Sequence, residues 1–391
     1  MIDVKQLKEA VRQEIARRQD ELVALSLKIH ANPEIAFQEE KASAWLSDLL
    51  EASGFQLERG ICQIPTAFRA VYGSGNPKIA FLAEYDALPG MGHACGHNII
   101  GTASTAAGIA AKIAAEVTGG TVVVIGTPAE EVSGGKVYMA DRGAFEDLDC
   151  AMLVHPGNRN AVMSYSLACI ELDVEFFGRG SHAAAKPEEG VNALDAILLG
   201  FQGIGLLRQQ LRESARVHGI ITDGGQAVNV IPQRTAASLL VRSDDDDYLE
   251  ELRGKVLACF QAGAEATGCR LEHRWGDASR YKAMRTNTAL ARAFEANLRA
   301  LGRVVEEQES RRSMGSTDMG NVSAIVPAIH PTIAIAPAHV PIHTDEFREC
   351  AASEEGQRGL LDAAMAMAMT AVDLLSDPAI LQSARQEFEQ P

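Results

Sequence analysis

His93-Ala94-Cys95-Gly96-His97 sets three side chains of metal-ligating type within five positions. Thiolate and neutral imidazole are the donors that a borderline-soft divalent ion prefers. Cys95 and His97, two residues apart, can point the same way from an extended segment or turn. The C-x-H pattern alone equally describes a buried thiol beside a satisfied histidine, and His93 is the weakest ligand candidate of the three. Further along, Pro128-Ala129-Glu130-Glu131 follows an apolar run. Adjacent carboxylates in such a place can divide labour, one holding metal and the other acting as general base; a solvated loop is the plain alternative. His155 ends a second apolar run before Pro156, and His343 lies in Pro341-Ile342-His343-Thr344-Asp345-Glu346-Phe347, where His339 competes for the same role. Each signal is weak by itself. Together, five ligand-type residues near strand ends and a spare glutamate match the needs of a co-catalytic metal hydrolase acting on an amide bond.

The elements that must position these residues alternate between strand and helix. Lys78–Ala83 reads as a buried strand with Asp86 beyond its carboxyl end. Ile99–Val117 reads as a small-residue helix stopped by Gly119-Gly120, and Thr121–Gly126 as a strand covered on both faces. Ala151–Val154 is a short strand ending at His155. This is an α/β pattern, whose ligands gather outside the carboxyl ends of the strands. From Ala168 the texture changes. Strand Cys169–Phe177, helix Gly190–Ser214, strands Val217–Thr222 and Thr235–Arg242, helix Asp245–Thr267 and strand Arg270–Trp275 give a β-α-β-β-α-β order, predicting an inserted ferredoxin-like α+β domain. Helix Asn287–Ala300, strand Pro331–Ala336 and a last helix over Ser353–Leu375 resume the first domain. The expected organisation is a discontinuous catalytic domain, 1–168 and 284–391, around a second domain at 169–283.

Composition narrows the class. The 391 residues are 47% hydrophobic and 23% charged, in the range of a soluble globular protein, and the formal net charge of −16 argues against a nucleic-acid partner. Met1–Leu22 reads as a charged amphipathic helix and not as a signal peptide, and Ile99–Ala115 comes nearest to a membrane span but is dominated by Ala, Gly and Thr. Seven scattered cysteines suit free thiols in a reducing compartment, so a cytoplasmic location is expected.

The motifs Asp86-Ala87-Leu88-Pro89, His93-Ala94-Cys95-Gly96-His97-Asn98, Pro128-Ala129-Glu130-Glu131 and Pro341-Ile342-His343-Thr344, in this order over nearly the whole chain, closely resemble the metallo-amidohydrolases related to aminoacylase and carboxypeptidase G. Within that family the chain is most similar to the aminoacylase-1-like and aminobenzoyl-glutamate hydrolase branch. The resemblance implies a metal-dependent exopeptidase-like catalytic domain with an inserted lid and dimerisation domain. It implies Cys95, His97, Glu131, His155 and His343 as metal ligands, Glu130 as general base, and Asp86 as the group orienting a ligand histidine. It further implies that His182, in Gly178-Arg179-Gly180-Ser181-His182, stabilises the oxyanion, often across a dimer interface. Asn229 and Arg242 would grip a substrate carboxylate, and Gly315, in Met314-Gly315-Ser316-Thr317-Asp318, would line the pocket. One departure stands out: Glu84 occupies the position where many members carry a histidine, which leaves one or two ions per subunit open.

The expected reaction is hydrolysis of a dipeptide or N-acyl amino acid with a free carboxylate, through metal-activated water and a glutamate base. Aryl amides such as p-aminobenzoyl-glutamate, or carbamoyl compounds, are the alternative substrates. A metal-binding regulatory module without turnover is the alternative class. Thiolate softness favours zinc, with manganese, cobalt or nickel as other candidates. A homodimer through the inserted domain is the expected assembly, with no membrane partner.

Overall fold

In the computed structural model, which describes residues 3–132, 134–306 and 315–390, the apolar runs become strands whose carboxyl ends converge. The chain divides into two compact units. The first takes the described residues up to Tyr165, those from Met284 to Glu306 and those from Thr317 on; the second takes Ser166–Ala283 with Gly315 and Ser316.

The first unit is built on a six-stranded sheet in the spatial order Gln56–Arg59, Phe68–Tyr72, Thr121–Gly126, Lys78–Ala83, Cys150–Met152, Ala328–Ile329. The last four strands are mutually parallel, with Ala83 opposite Gly126 and Ala151 opposite Ala328. Parallel pairing brings the segments that leave them to one end of the sheet: Glu84–Asp86, Thr127–Glu131, Leu153–His155 and His330. Every residue of Thr121–Gly126 is buried, as a β-branched run covered on both faces must be. Helix His97–Thr118 lies against the sheet, and its Ala, Gly and Thr side chains are what let it pack closely there, also beneath helix Glu354–Ser376. Among the described residues it is that second helix, rather than Ile99–Ala115, that is long and apolar enough to cross a membrane. Its most apolar window is 72% buried, however, and it serves as a core helix.

Three local expectations change. The amphipathic start is two helices, Val4–Arg17 and Gln19–His30, broken at Arg18. The helix expected over 190–214 is confined to Ala193–Leu207, because Asn192 caps its start and a 3-10 turn at Arg208–Gln210 ends it. A further helix, Pro378–Phe388, follows Asp377, whose side chain accepts from Ala379 N.

The second unit is a four-stranded antiparallel sheet in the order Arg270–Trp275, Ala168–Phe177, Arg234–Ser243, Arg216–Asp223, carrying helices Ala193–Leu207 and Asp246–Thr267. Its core is separate: Phe176, Ile197, Leu239, Leu252 and Phe260 are among its buried side chains.

Candidate active site

Cys95 and His97 flank the start of helix His97–Thr118, on either side of Gly96. Gly96 has φ +79°, and a Cβ there would sit 2.5 Å from Pro156 Cγ, so the backbone of one ligand loop runs directly against the proline that follows His155. Gly96→Ala is therefore expected to strain this turn and displace both ligands. Metal content after dialysis should fall well below one ion per chain, and a fully loaded variant would contradict this packing argument.

Five of the expected residues meet in the first unit. Cys95 Sγ lies 3.3 Å from His155 Nε2 and 3.3 Å from His343 Nε2. His97 Nε2 lies 3.6 Å from Glu131 Oε1, and His343 Nε2 is also 3.6 Å from that oxygen. The donor atoms fall into overlapping groups, Cys95/His97/His155 and Cys95/Glu131/His343, each within 4.8 Å, with a third of His97, Glu130 and Glu131. Cys95, His97 and Glu131 each belong to two groups, so the set would hold one ion or two. His97 Nε2 and Glu131 Oε1 are buried without a hydrogen-bond partner, a costly arrangement unless something else binds them. Thiolate, imidazole and carboxylate converging in this way fit divalent ions.

The shell behind them fixes their aim. Asp86 Oδ1 stands 2.8 Å from His97 Nδ1 while its Oδ2 accepts from Glu131 N at 3.0 Å, so one carboxylate orients two ligands. His343 adopts φ 64°, its N–H bonds to Ala94 O at 2.9 Å, and Thr344 caps the Asp345–Ala352 helix that follows. Ala129, immediately before the paired glutamates, also has a left-handed φ of 63°. Gly135 makes that loop possible: a Cβ there would fall 1.8 Å from Pro128 O. Such strained residues are maintained only where their surroundings over-determine them.

Glu130 is half-buried. Desolvation, then the carboxylates of Asp318, Glu84 and Glu131, push its pKa well above the usual carboxylate range. Beside it lies a group that sequence reading missed. Lys136 Nζ, fully buried, is 2.6 Å from Glu84 Oε1 and 2.7 Å from Asp318 Oδ1, and Lys136 N donates to Asp318 Oδ2 at 2.9 Å. Burial works against ionising Glu84, but the Lys136 ammonium together with the His97, His330 and His155 imidazoles outweighs it, and the carboxyl is held at about 2. Burial raises Asp318 to about 6 despite the same ammonium. The second oxygen of Glu84 faces His97 Nε2 at 3.7 Å. His330 was also missed, although His330-Pro331 repeats the strand-end pattern of His155-Pro156. Its ring stands edge-on to His155 at 5.5 Å, and burial, then His155, lowers its pKa to about 3, so it is neutral. Burial and His97 lower His93 likewise to about 3; it is absent from the three donor groups and stacks on His30.

The remaining expected residues lie in the second unit and form two local groups. His182 and Asn229 come together where His182 bridges Val230 and Ala183 N bonds to Asn229 O at 3.0 Å. Arg242 Nη1 donates to Ser316 Oγ at 3.0 Å, next to Gly315, whose carbonyl accepts from Leu167 N at 2.9 Å. Met314 lies outside the described residues.

The sequence model of peptidase family M20/M25/M40 matches residues 80–365, the span holding every one of these groups. The chain belongs to this family. Among M20 relatives, it is 38% identical to Xaa-Arg dipeptidase of Mus musculus over 98% of this chain and 92% of that protein. It is 30% identical to one of the p-aminobenzoyl-glutamate hydrolase subunits of Escherichia coli, over 93% and 91% respectively. In structure it resembles a dinuclear metal-binding M20 peptidase of Bacillus subtilis, with a TM-score of 0.69 at 18% identity, covering 92% of this chain and 99% of that one. This M20 chain is a metal-dependent amidohydrolase with a divalent-metal site in its first unit.

Proposed function

We propose that this M20 enzyme hydrolyses the amide bond of dipeptides and N-acyl amino acids bearing a free carboxylate, with dipeptides ending in arginine as the preferred class. The observation that carries the chemistry is the pair of donor groups sharing Cys95, with Glu130 beside them in the group it forms with His97 and Glu131. The substrate preference rests on the similarity to Xaa-Arg dipeptidase. Cys95, His97, Glu131, His155 and His343 would hold one or two ions, zinc being favoured by the thiolate over manganese, cobalt or nickel. When bound there, such ions act as Lewis acids and lower the pKa of water.

Glu130 takes a proton from the attacking water as its oxygen bonds to the amide carbon. It then returns that proton to the nitrogen as the carbon–nitrogen bond breaks, releasing amine and carboxylate. Asp86 keeps His97 and Glu131 in register throughout. In the inserted unit, His182 is assigned to the developing oxyanion, Asn229 and Arg242 to the substrate carboxylate, for which a guanidinium fork is suited, and Gly315 to the pocket wall. We read that unit as a ferredoxin-like lid and dimerisation module. Its edge strand Arg216–Asp223 exposes Ile220, and its helix exposes Leu206 at 80%, which supports pairing with a second copy. All seven cysteines are free, as suits the cytoplasm.

The test is release of free amine by metal-reconstituted enzyme from Xaa-Arg dipeptides, other dipeptides, N-acyl amino acids and p-aminobenzoyl-glutamate. The expected order places Xaa-Arg dipeptides first. Turnover confined to p-aminobenzoyl-glutamate would transfer the assignment to the aryl-amide reading that the similarity to the Escherichia coli hydrolase favours. No turnover at full metal loading would overturn it.

A further inference from the structure

Glu39 is fully buried in the turn before helix Glu40–Ala52, yet no step above uses it. Its Oε1 accepts two backbone N–H groups, Phe37 at 3.0 Å and Ala129 at 2.9 Å, the second 90 residues away in sequence. Both of these residues are left-handed, with φ of 61° and 63°. A side chain with a Cβ avoids that region, a bulky one such as phenylalanine especially, unless contacts hold it there. Two such residues bonded to one carboxylate oxygen is not what helix capping needs, since Glu39 makes no side-chain cap of its own helix. Ala129 is gripped on its other side too, its carbonyl accepting from Gly135 N at 3.1 Å. The Phe37 ring in turn meets Tyr138 edge-on at 6.0 Å, on the helix Gly135–Asp141 that follows the paired glutamates.

We infer that Glu39 is a positioning residue for the reaction: it braces Ala129 in the left-handed conformation and so aims Glu130, the next residue, at its working position. This rests on the reading of Glu130 as the base. The backbone of Ala129 sets the direction in which residue 130 leaves the strand end. If Ala129 relaxed to an ordinary φ, the carboxylate of Glu130 would swing, while Cys95, His97, His155 and His343, which come from other segments, kept their places and Glu131 stayed tethered through its N–H to Asp86 Oδ2. The brace therefore governs the proton transfer more than substrate or metal binding.

The experiment measures kcat, KM and bound metal per chain for Glu39→Ala, Glu39→Gln, Ala129→Val and the double variant Glu39→Ala/Ala129→Gly, with Glu130→Gln alongside. Glu39→Ala is expected to lower kcat by ~100-fold, as small misplacements of reacting groups do, with KM and metal content near wild type. Glu39→Gln keeps an acceptor oxygen and should recover most of that loss. Glycine at 129 adopts a positive φ without a Cβ penalty, so the double variant should regain several-fold over Glu39→Ala. Ala129→Val leaves Glu39 intact but burdens the left-handed conformation, and should lower kcat in the same direction. That variant decides the matter if Glu39→Ala does not fold. Wild-type kcat in Glu39→Ala or Ala129→Val, or a Glu39→Gln variant as impaired as Glu39→Ala, overturns the brace. If Glu130→Gln itself retains kcat, it is the base assignment that fails, and the two failures are thereby told apart.

Discussion

Glu130→Gln should lower kcat on the order of 10²- to 10⁴-fold, the range contributed by a positioned general base, while KM and bound metal stay close to wild type. The amide keeps the shape of the carboxyl but cannot accept water's proton. Metal retention follows from the donor sets: Cys95/His97/His155 and Cys95/Glu131/His343 are each complete without Glu130. Glu131→Gln provides the contrast, since it weakens a ligand in the second set and should cost metal as well as rate. Steady-state amine release combined with metal analysis separates the two glutamates. A Glu130→Gln enzyme within tenfold of wild type would show that another group takes the proton.

Lys136→Met is expected to be the most destabilising single change in the first unit. It removes the ammonium that lies between Glu84 and Asp318, all three fully buried, and leaves two carboxylates without their counter-charge. Removing one partner of a buried ion pair costs about 3–5 kcal/mol, which a denaturant midpoint reads directly. Adding Glu84→Gln to Lys136→Met should return part of the loss, because one of the stranded charges goes with it. The pH dependence has a definite sign. Glu84, held at about 2 against an ordinary 4.5, contributes stability that is complete above the ordinary value and is lost as pH falls toward 2. Without the ammonium that lowering is weakened, so the variant should lose less stability than the wild type on acidification. A variant with an unchanged midpoint would mean that water or rearrangement reaches this network easily.

The residues of the candidate site were legible where chemistry and local pattern coincide. Cys95, His97, Glu130, Glu131 and His155 follow, or lie near, apolar runs, and a parallel sheet must bring such ends together. His343 was found by its motif, while its left-handed backbone leaves no sequence trace. The Glu84–Lys136–Asp318 group was not legible because Lys136 is 52 and 182 residues from its two partners and, alone, looks like a surface charge. Glu39 was hidden for the same reason, at 90 residues from its partner. Other differences are local. Arg17 and Arg18 are both good helix formers, so nothing in their propensities marks the break between the first two helices. Asp377-Pro378, by contrast, is a readable cap followed by a proline at the first helical position.

The place where the inserted unit departs from the first has a consequence for how such a protein arises and can be rebuilt. In the first unit, the Ser164 and Thr286 hydroxyls lie 3.2 Å apart, so the chain leaves and rejoins that unit at neighbouring points. Within the second unit, Cys169 and Tyr281 exchange paired backbone bonds of 3.0 Å, so its two ends are likewise zipped side by side. Each unit thus closes upon itself, with its own core. An ancestral hydrolase could acquire, exchange or enlarge the insert at a single locus without rewiring the strands that hold the ligands. For the engineer, the same junction is a grafting point at which the inserted unit can be exchanged as a cassette while the metal-bearing scaffold is left untouched.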